Sequence, residues 1–234
     1  MNYPLFLFFG FVPSIIWLAF YLRKDSHPEP NSVIRKVFFW GMLATLPAIA
    51  LELTLRSLFS FLPFSEGVIL ILYIFLGVAL VEEVLKFLVV RFSVYANPAL
   101  DEPVDVMLYM IIAALGFAAF ENILILFGLG PTSPVSNIVA LTLVRLVGAT
   151  FLHALTSGTF GYFLARSFFD QKRKYWYVAA GLFLATLLHG FFNFYILEAD
   201  GIQKLLFPAI ILLGLAVFVS LAFRQLKKIT KLQM

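Results

Sequence analysis

The sequence predicts an all-α, polytopic membrane protein of about seven transmembrane helices, and two observations carry that prediction. Hydrophobic residues fill 62% of the 234 positions and charged residues only 13%, too little polar surface to clothe a water-soluble globule. The apolar residues also arrive in successive runs of about 20, the length that a helix needs to cross a hydrocarbon core about 30 Å thick. Helices are expected because a spanning segment must satisfy its own backbone hydrogen bonds.

In chain order the runs are 3–22, 37–58, 67–90, 106–128, 137–166, 176–197 and 205–223, with ends set by where the apolar period gives way to polar and turn residues. The first run lacks a basic leader and carries its charges after it, which predicts a retained anchor with the N-terminus outside. The gaps hold KDSHPEPNS at 24–32, PFSE at 63–66, GPTSP at 130–134, DQKRK at 170–174 and EADG at 198–201. None is long enough for a soluble domain, so residues 1–234 read as one membrane domain, its functional core at about 68–198. Thirteen basic residues fall in alternate gaps and the tail: Arg23, Lys24, Arg35, Lys36, Arg91, Arg166, Lys172, Arg173, Lys174, Arg224, Lys227, Lys228 and Lys231. Only Arg56 and Lys204 lie in the others. That alternation predicts an external N-terminus and a cytoplasmic C-terminus. The net charge of +4 is thus a topology signal, and no basic module supports nucleic acid as a partner. Zero cysteines exclude disulfides, thiol nucleophiles and cysteine-ligated metals.

Ionisable residues deep in spanning helices cost about 2.5–3.5 kcal/mol each on insertion scales, so each needs a reason. They concentrate in four consecutive spans. The third holds Glu82, Glu83 and Lys86; the fourth Glu121 and Asn122; the fifth Arg145, His153, Thr156 and Ser157; the sixth His189 and Asn193. At about 1.5 Å of rise per residue, the two histidines share a level near mid-membrane with the glutamate pair in reach, an arrangement suited to activating water.

Plainer readings stand beside this one. Glu82 and Lys86 have the i,i+4 order of an intrahelical pair, and because adjacent side chains diverge by about 100° on a helix, only one of the two carboxylates is expected to face Lys86. Glu121 and Arg145 fall at similar depth, so a structural ion pair competes with catalysis for Glu121. Asn122 could join helices. Thr156 and Ser157 are expected to bond back to their own helix, with Ser157 a weak candidate nucleophile. Glu52 and Arg56 are another i,i+4 pair, His27 a solvated loop residue and Asp105 a helix-start residue. Two functions follow: a membrane-embedded hydrolase whose glutamate deprotonates water, or a transporter or proton pathway through the same groups. Broken helices and inverted repeats would favour transport, and neither is evident in the sequence.

Four motifs then form an ordered set: EExxK at Glu82, Glu83 and Lys86, FxxxE at Phe117 and Glu121, HxxxS at His153 and Ser157, and HxxxN at His189 and Asn193. With the segment PVDVMLYM at Pro103–Met110, this pattern resembles the PrsW family of intramembrane proteases over about residues 80–195. It is more distantly similar to the Abi and CAAX-processing endopeptidases. Those carry an Arg after the glutamate pair at longer spacing and a His where Glu121 stands, which argues against a prenyl-protein substrate.

The resemblance implies cleavage of membrane-anchored proteins, often in signalling, at a multi-pass cell-membrane protein. Glu82 and Glu83 would be the central carboxylates and His153 and His189 would complete the site, with Lys86, Arg145 and Ser157 in support. One glutamate would be the general base; His189 and Asn193 would bind the oxyanion, and His153 would orient water or protonate the leaving amine. Zinc is possible on Glu82, Glu83, His153 and His189, but no HExxH is present and no cofactor is required by the spacing.

Overall fold

The computed structural model describes residues 2–25 and 27–233, and among these the regular structure is helical. Helix α1 (Tyr3–Leu22) opens with Pro4 in its first turn, where a missing N–H leaves no bond unmade. Helix α2 (Asn31–Phe59) follows. The third span runs as α3 (Glu66–Leu72), a π-helical segment (Tyr73–Ala79) and α4 (Leu80–Ser93). Helix α5 (Pro103–Gly128) starts at a capping box in which the Glu102 side chain accepts from the Asp105 backbone and Asp105 accepts from the Glu102 backbone at 2.6 Å. The fifth span is α6 (Val135–Val147) and α7 (Ala149–Phe169), the sixth is α8 (Lys174–Glu198) and the last α9 (Gln203–Gln233). Among the described residues, seven helical stretches are long and apolar enough to cross a membrane, the number the sequence predicts. The side chain of Lys231, one of the basic tail residues, lies outside those described.

Helix α5 is the axis of the bundle. Between Asp105 and Glu121 it is apolar on every side, the pattern of a helix buried all round, and Met107 to Leu115 are fully enclosed. It packs on α7, α2 and α1 and also meets α4 and α9. Close approach to α2 rests on two glycines, since a Cβ on Gly41 would run into the Ala113 carbonyl and one on Gly116 into the Phe38 carbonyl. Small residues are what let membrane helices approach in this way. The outer faces present Phe8, Leu53, Leu143 and Phe183, the apolar surface that lipid requires.

Two irregularities depart from the uninterrupted spans read from the sequence. The third span widens to a π-helix just before the glutamate pair, and π segments recur at functional sites because they re-aim the helix that follows. The fifth span bends at Gly148 (φ −103°, ψ −103°). The ladder continues through the bend, Gly148 donating to Val144 at 2.9 Å and Leu152 to Gly148 at 2.9 Å. The bend separates Arg145 from His153, and both reach the same carboxylate.

Candidate active site

Three spans converge on one buried cluster: α4 contributes Glu82, Glu83 and Lys86, α7 contributes His153, Thr156 and Ser157, and α8 contributes His189. Glu82 is 5% exposed, His153 2% and His189 1%; Glu83 and Lys86 are fully buried. In so enclosed a place every charge and polar atom needs a partner, and the network shows how most find one.

Lys86 Nζ lies 3.2 Å from Glu82 Oε2, 3.0 Å from Glu83 Oε1 and 2.8 Å from His153 Nδ1. Both carboxylates therefore face Lys86, contrary to the expectation that only one could. The long lysine stem places its ammonium between positions one turn back at i−3 and i−4, so the divergence of the glutamate Cα–Cβ bonds is overcome by side-chain reach. Glu83 also accepts from Thr156 at 3.0 Å, from Ser157 at 2.9 Å and from His189 Nδ1 at 3.0 Å. Its two oxygens are thus engaged on all sides.

The network fixes the histidine tautomers. Lysine only donates, so His153 Nδ1 is an acceptor and Nε2–H donates to Glu121 Oε2 at 3.0 Å. A carboxylate only accepts, so His189 Nδ1–H donates to Glu83; in the neutral ring Nε2 then carries the lone pair. Glu82 Oε2 stands 3.6 Å from His153 Nδ1 and 3.8 Å from His189 Nε2. The rings are near perpendicular with centroids 5.1 Å apart, so the shared level read from the sequence holds. Among the described residues no hydrogen-bond donor reaches His189 Nε2.

A second tier braces His153. Glu121 is paired with Arg145 at 2.7 Å, so it serves both the ion pair and the histidine. Arg145 donates to Asn122 Oδ1, and Asn122 donates to Thr150 at 3.0 Å and to the Gly10 carbonyl at 3.4 Å. Asn122 thus joins α1, α5, α6 and α7. Thr156 shares its one hydroxyl hydrogen between Leu152 of its own helix (3.1 Å) and Glu83 (3.0 Å), whereas Ser157 turns to Glu83 alone; engaged there, it is a carboxylate anchor. Asn193 follows His189 by one turn and is half-buried, with no hydrogen bond among the described residues. Glu52 and Arg56 form no ion pair; Arg56 lies over the Tyr73 ring, 5.8 Å from its centroid. His27 is exposed, as expected of a solvated loop residue, and its Nδ1 lies 2.5 Å from Glu102 Oε1. Thr150 and Thr156 escaped sequence reasoning as site residues, because a threonine in a membrane helix ordinarily bonds to its own backbone.

A helical membrane domain that buries an acceptor-rich cluster of glutamate and histidine at mid-span has the makings of an intramembrane hydrolase. The comparisons with known proteins make the assignment specific. Residues 29–222 match the PrsW family intramembrane metalloproteases, and the chain belongs to this family. It is 31% identical to Protease PrsW of Geobacillus kaustophilus over 82% of this chain and 79% of that one. Protease PrsW of Oceanobacillus iheyensis is 29% identical over 87% of this chain and 88% of its own length, and that of Bacillus subtilis 30% identical over 79% of each. No solved structure matches. The protein is accordingly an intramembrane peptidase of the multi-pass kind, and nothing in these relatives supports the transporter alternative.

Proposed function

We propose that the protein hydrolyses peptide bonds of membrane-anchored proteins with water activated between Glu82 and His189. The observation that carries this reading is the pair of acceptors, Glu82 Oε2 and, in the neutral ring, His189 Nε2, 3.8 Å apart in a buried site with no donor among the described residues on the imidazole nitrogen. A water held by both donates its two protons to them and turns an oxygen lone pair toward a substrate carbonyl. Glu82 takes a proton as the oxygen bonds to the carbonyl carbon. It returns that proton to the nitrogen as the carbon–nitrogen bond breaks, leaving a carboxylic acid and an amine. In this tautomer His189 accepts, and it donates to the oxyanion only after taking a proton itself; the Asn193 amide, one turn on, is the better-suited neutral donor. Glu83 holds Lys86 and His189 in place.

The family is described as metalloproteases, and the donors here suit a metal. Glu82, His153 and His189 each offer one atom within 4.8 Å of the others, a set matching a three-ligand zinc site with one open position. Bound there, zinc would supply Lewis-acid polarisation and lower the pKa of its water.

The test is cleavage of a panel of single-pass membrane proteins by purified protein in proteoliposomes. Wild type should cut at least one, and His189→Ala should lose at least about 100-fold in rate. Wild-type turnover by His189→Ala, or no cleavage across the panel together with proton-dependent flux, would overturn the assignment. Chelator treatment separates metal-assisted from glutamate-only hydrolysis.

A further inference from the structure

Among the described residues Lys86 is the one buried lysine, and its donors are all met. An ammonium has three N–H donors and no acceptor. Glu82 Oε2, Glu83 Oε1 and His153 Nδ1, at 3.2, 3.0 and 2.8 Å, provide three acceptors. Its remaining side is covered by the face of Phe117, 4.8 Å from the ring centroid.

Two of those acceptors, Glu82 and His153, also belong to the set that suits a metal. The clash is specific to one lone pair. His153 Nε2 carries the hydrogen given to Glu121, so Nδ1 is the only nitrogen of that ring that can bind a cation, and Lys86 already holds it. A zinc ion would stand about 2.0–2.1 Å from the ligating nitrogen, along the direction from which Lys86 donates. The lone pair cannot serve both.

We propose that Lys86 is the resident cation of this site, and that its ammonium and a metal ion occupy His153 Nδ1 in mutually exclusive fashion. Metal loading requires the lysine to withdraw from His153. Glu83 is the anchor it withdraws to, because Thr156 and Ser157 hold that carboxylate in place independently of the metal donors, and His189 bonds it through Nδ1, leaving Nε2 for a metal. In the bare site Lys86 offsets one of the two carboxylate charges of Glu82 and Glu83, and a metal must displace that cation from His153 to enter. This rests on Glu82, His153 and His189 forming one site, as proposed above, but not on turnover.

The test is cobalt(II) affinity of chelator-stripped protein, followed by visible absorption, for wild type, Lys86→Met and Lys86→Gln, with folding verified by thermal unfolding. Both variants should bind at least about tenfold more tightly than wild type, a change of the size that partners of metal ligands exert. Adding His153→Ala to either should abolish the gain. Equal or weaker binding by the variants, no binding by any form, or a gain that survives His153→Ala would overturn the proposal. A structure of the wild-type protein with zinc bound tests it without substitution: Lys86 should lie on Glu83 and away from His153, and a metal-bound site that keeps the 2.8 Å contact contradicts it. Loss of cleavage with this affinity pattern intact would fault the protease mechanism alone.

Discussion

Glu83 accepts from Lys86, Thr156, Ser157 and His189, whereas Glu82 receives only Lys86 and faces the two imidazole lone pairs. Adjacent in sequence, the two carboxylates have separate surroundings, and the proposed mechanism gives them separate work: one organises the site and the other meets water. Sequence reasoning found the pair, both histidines and Glu121, because ionisable groups inside apolar helices stand out by cost alone. It did not divide the labour between the glutamates, since that depends on which neighbours on α7 and α8 reach each oxygen. Ser157→Ala should remove one charge-assisted bond from a fully buried carboxylate and lower stability by about 1–3 kcal/mol, read as a fall in unfolding temperature of the protein in detergent. A variant as stable as wild type would show that Ser157 does not anchor Glu83.

The seven spans were legible from length and apolarity, but their irregularities were not. The π segment and the bend at Gly148 leave the hydrophobic pattern intact, as a one-residue shift of the hydrogen-bond ladder in the first and a turned backbone in the second change direction without changing composition. Equally hidden was the fit of α2 on α5. Gly116→Val should push the Phe38 carbonyl away from α5 and cost about 1–3 kcal/mol or more by overpacking, measured by thermal unfolding; no change would mean the helices do not meet there. The connection from α1 to α2 is tied to the bundle by Glu29, which accepts from the Tyr109 hydroxyl. Burial pushes the Glu29 carboxyl above its ordinary range, so the folded protein favours its neutral form. Its contribution to stability is present below the ordinary glutamate range, about pH 4.3, and is lost as pH rises through the folded-state value. Unfolding temperature should therefore fall less with rising pH in Glu29→Gln than in wild type, and parallel profiles would count against this.

Taken whole, the molecule is a bundle wound around α5, with its polar capital in spans three to six and lipid-facing surfaces elsewhere. Such a layout follows from composition, since polar side chains in a bilayer must face one another. Orientation rests on the charge alternation alone, which predicts an external N-terminus and a cytoplasmic C-terminus. Reporter fusions should report an external N-terminus and a cytoplasmic C-terminus, and the reverse pattern would overturn that assignment. The central claim, that Glu82 activates the hydrolytic water, is tested most directly by the rate at which Glu82→Gln cleaves a single-pass membrane substrate in liposomes. The amide keeps size and hydrogen bonding but cannot take the proton, so the rate should fall about 100- to 10,000-fold in a protein that unfolds like wild type. A Glu82→Gln enzyme with near wild-type turnover would contradict the account.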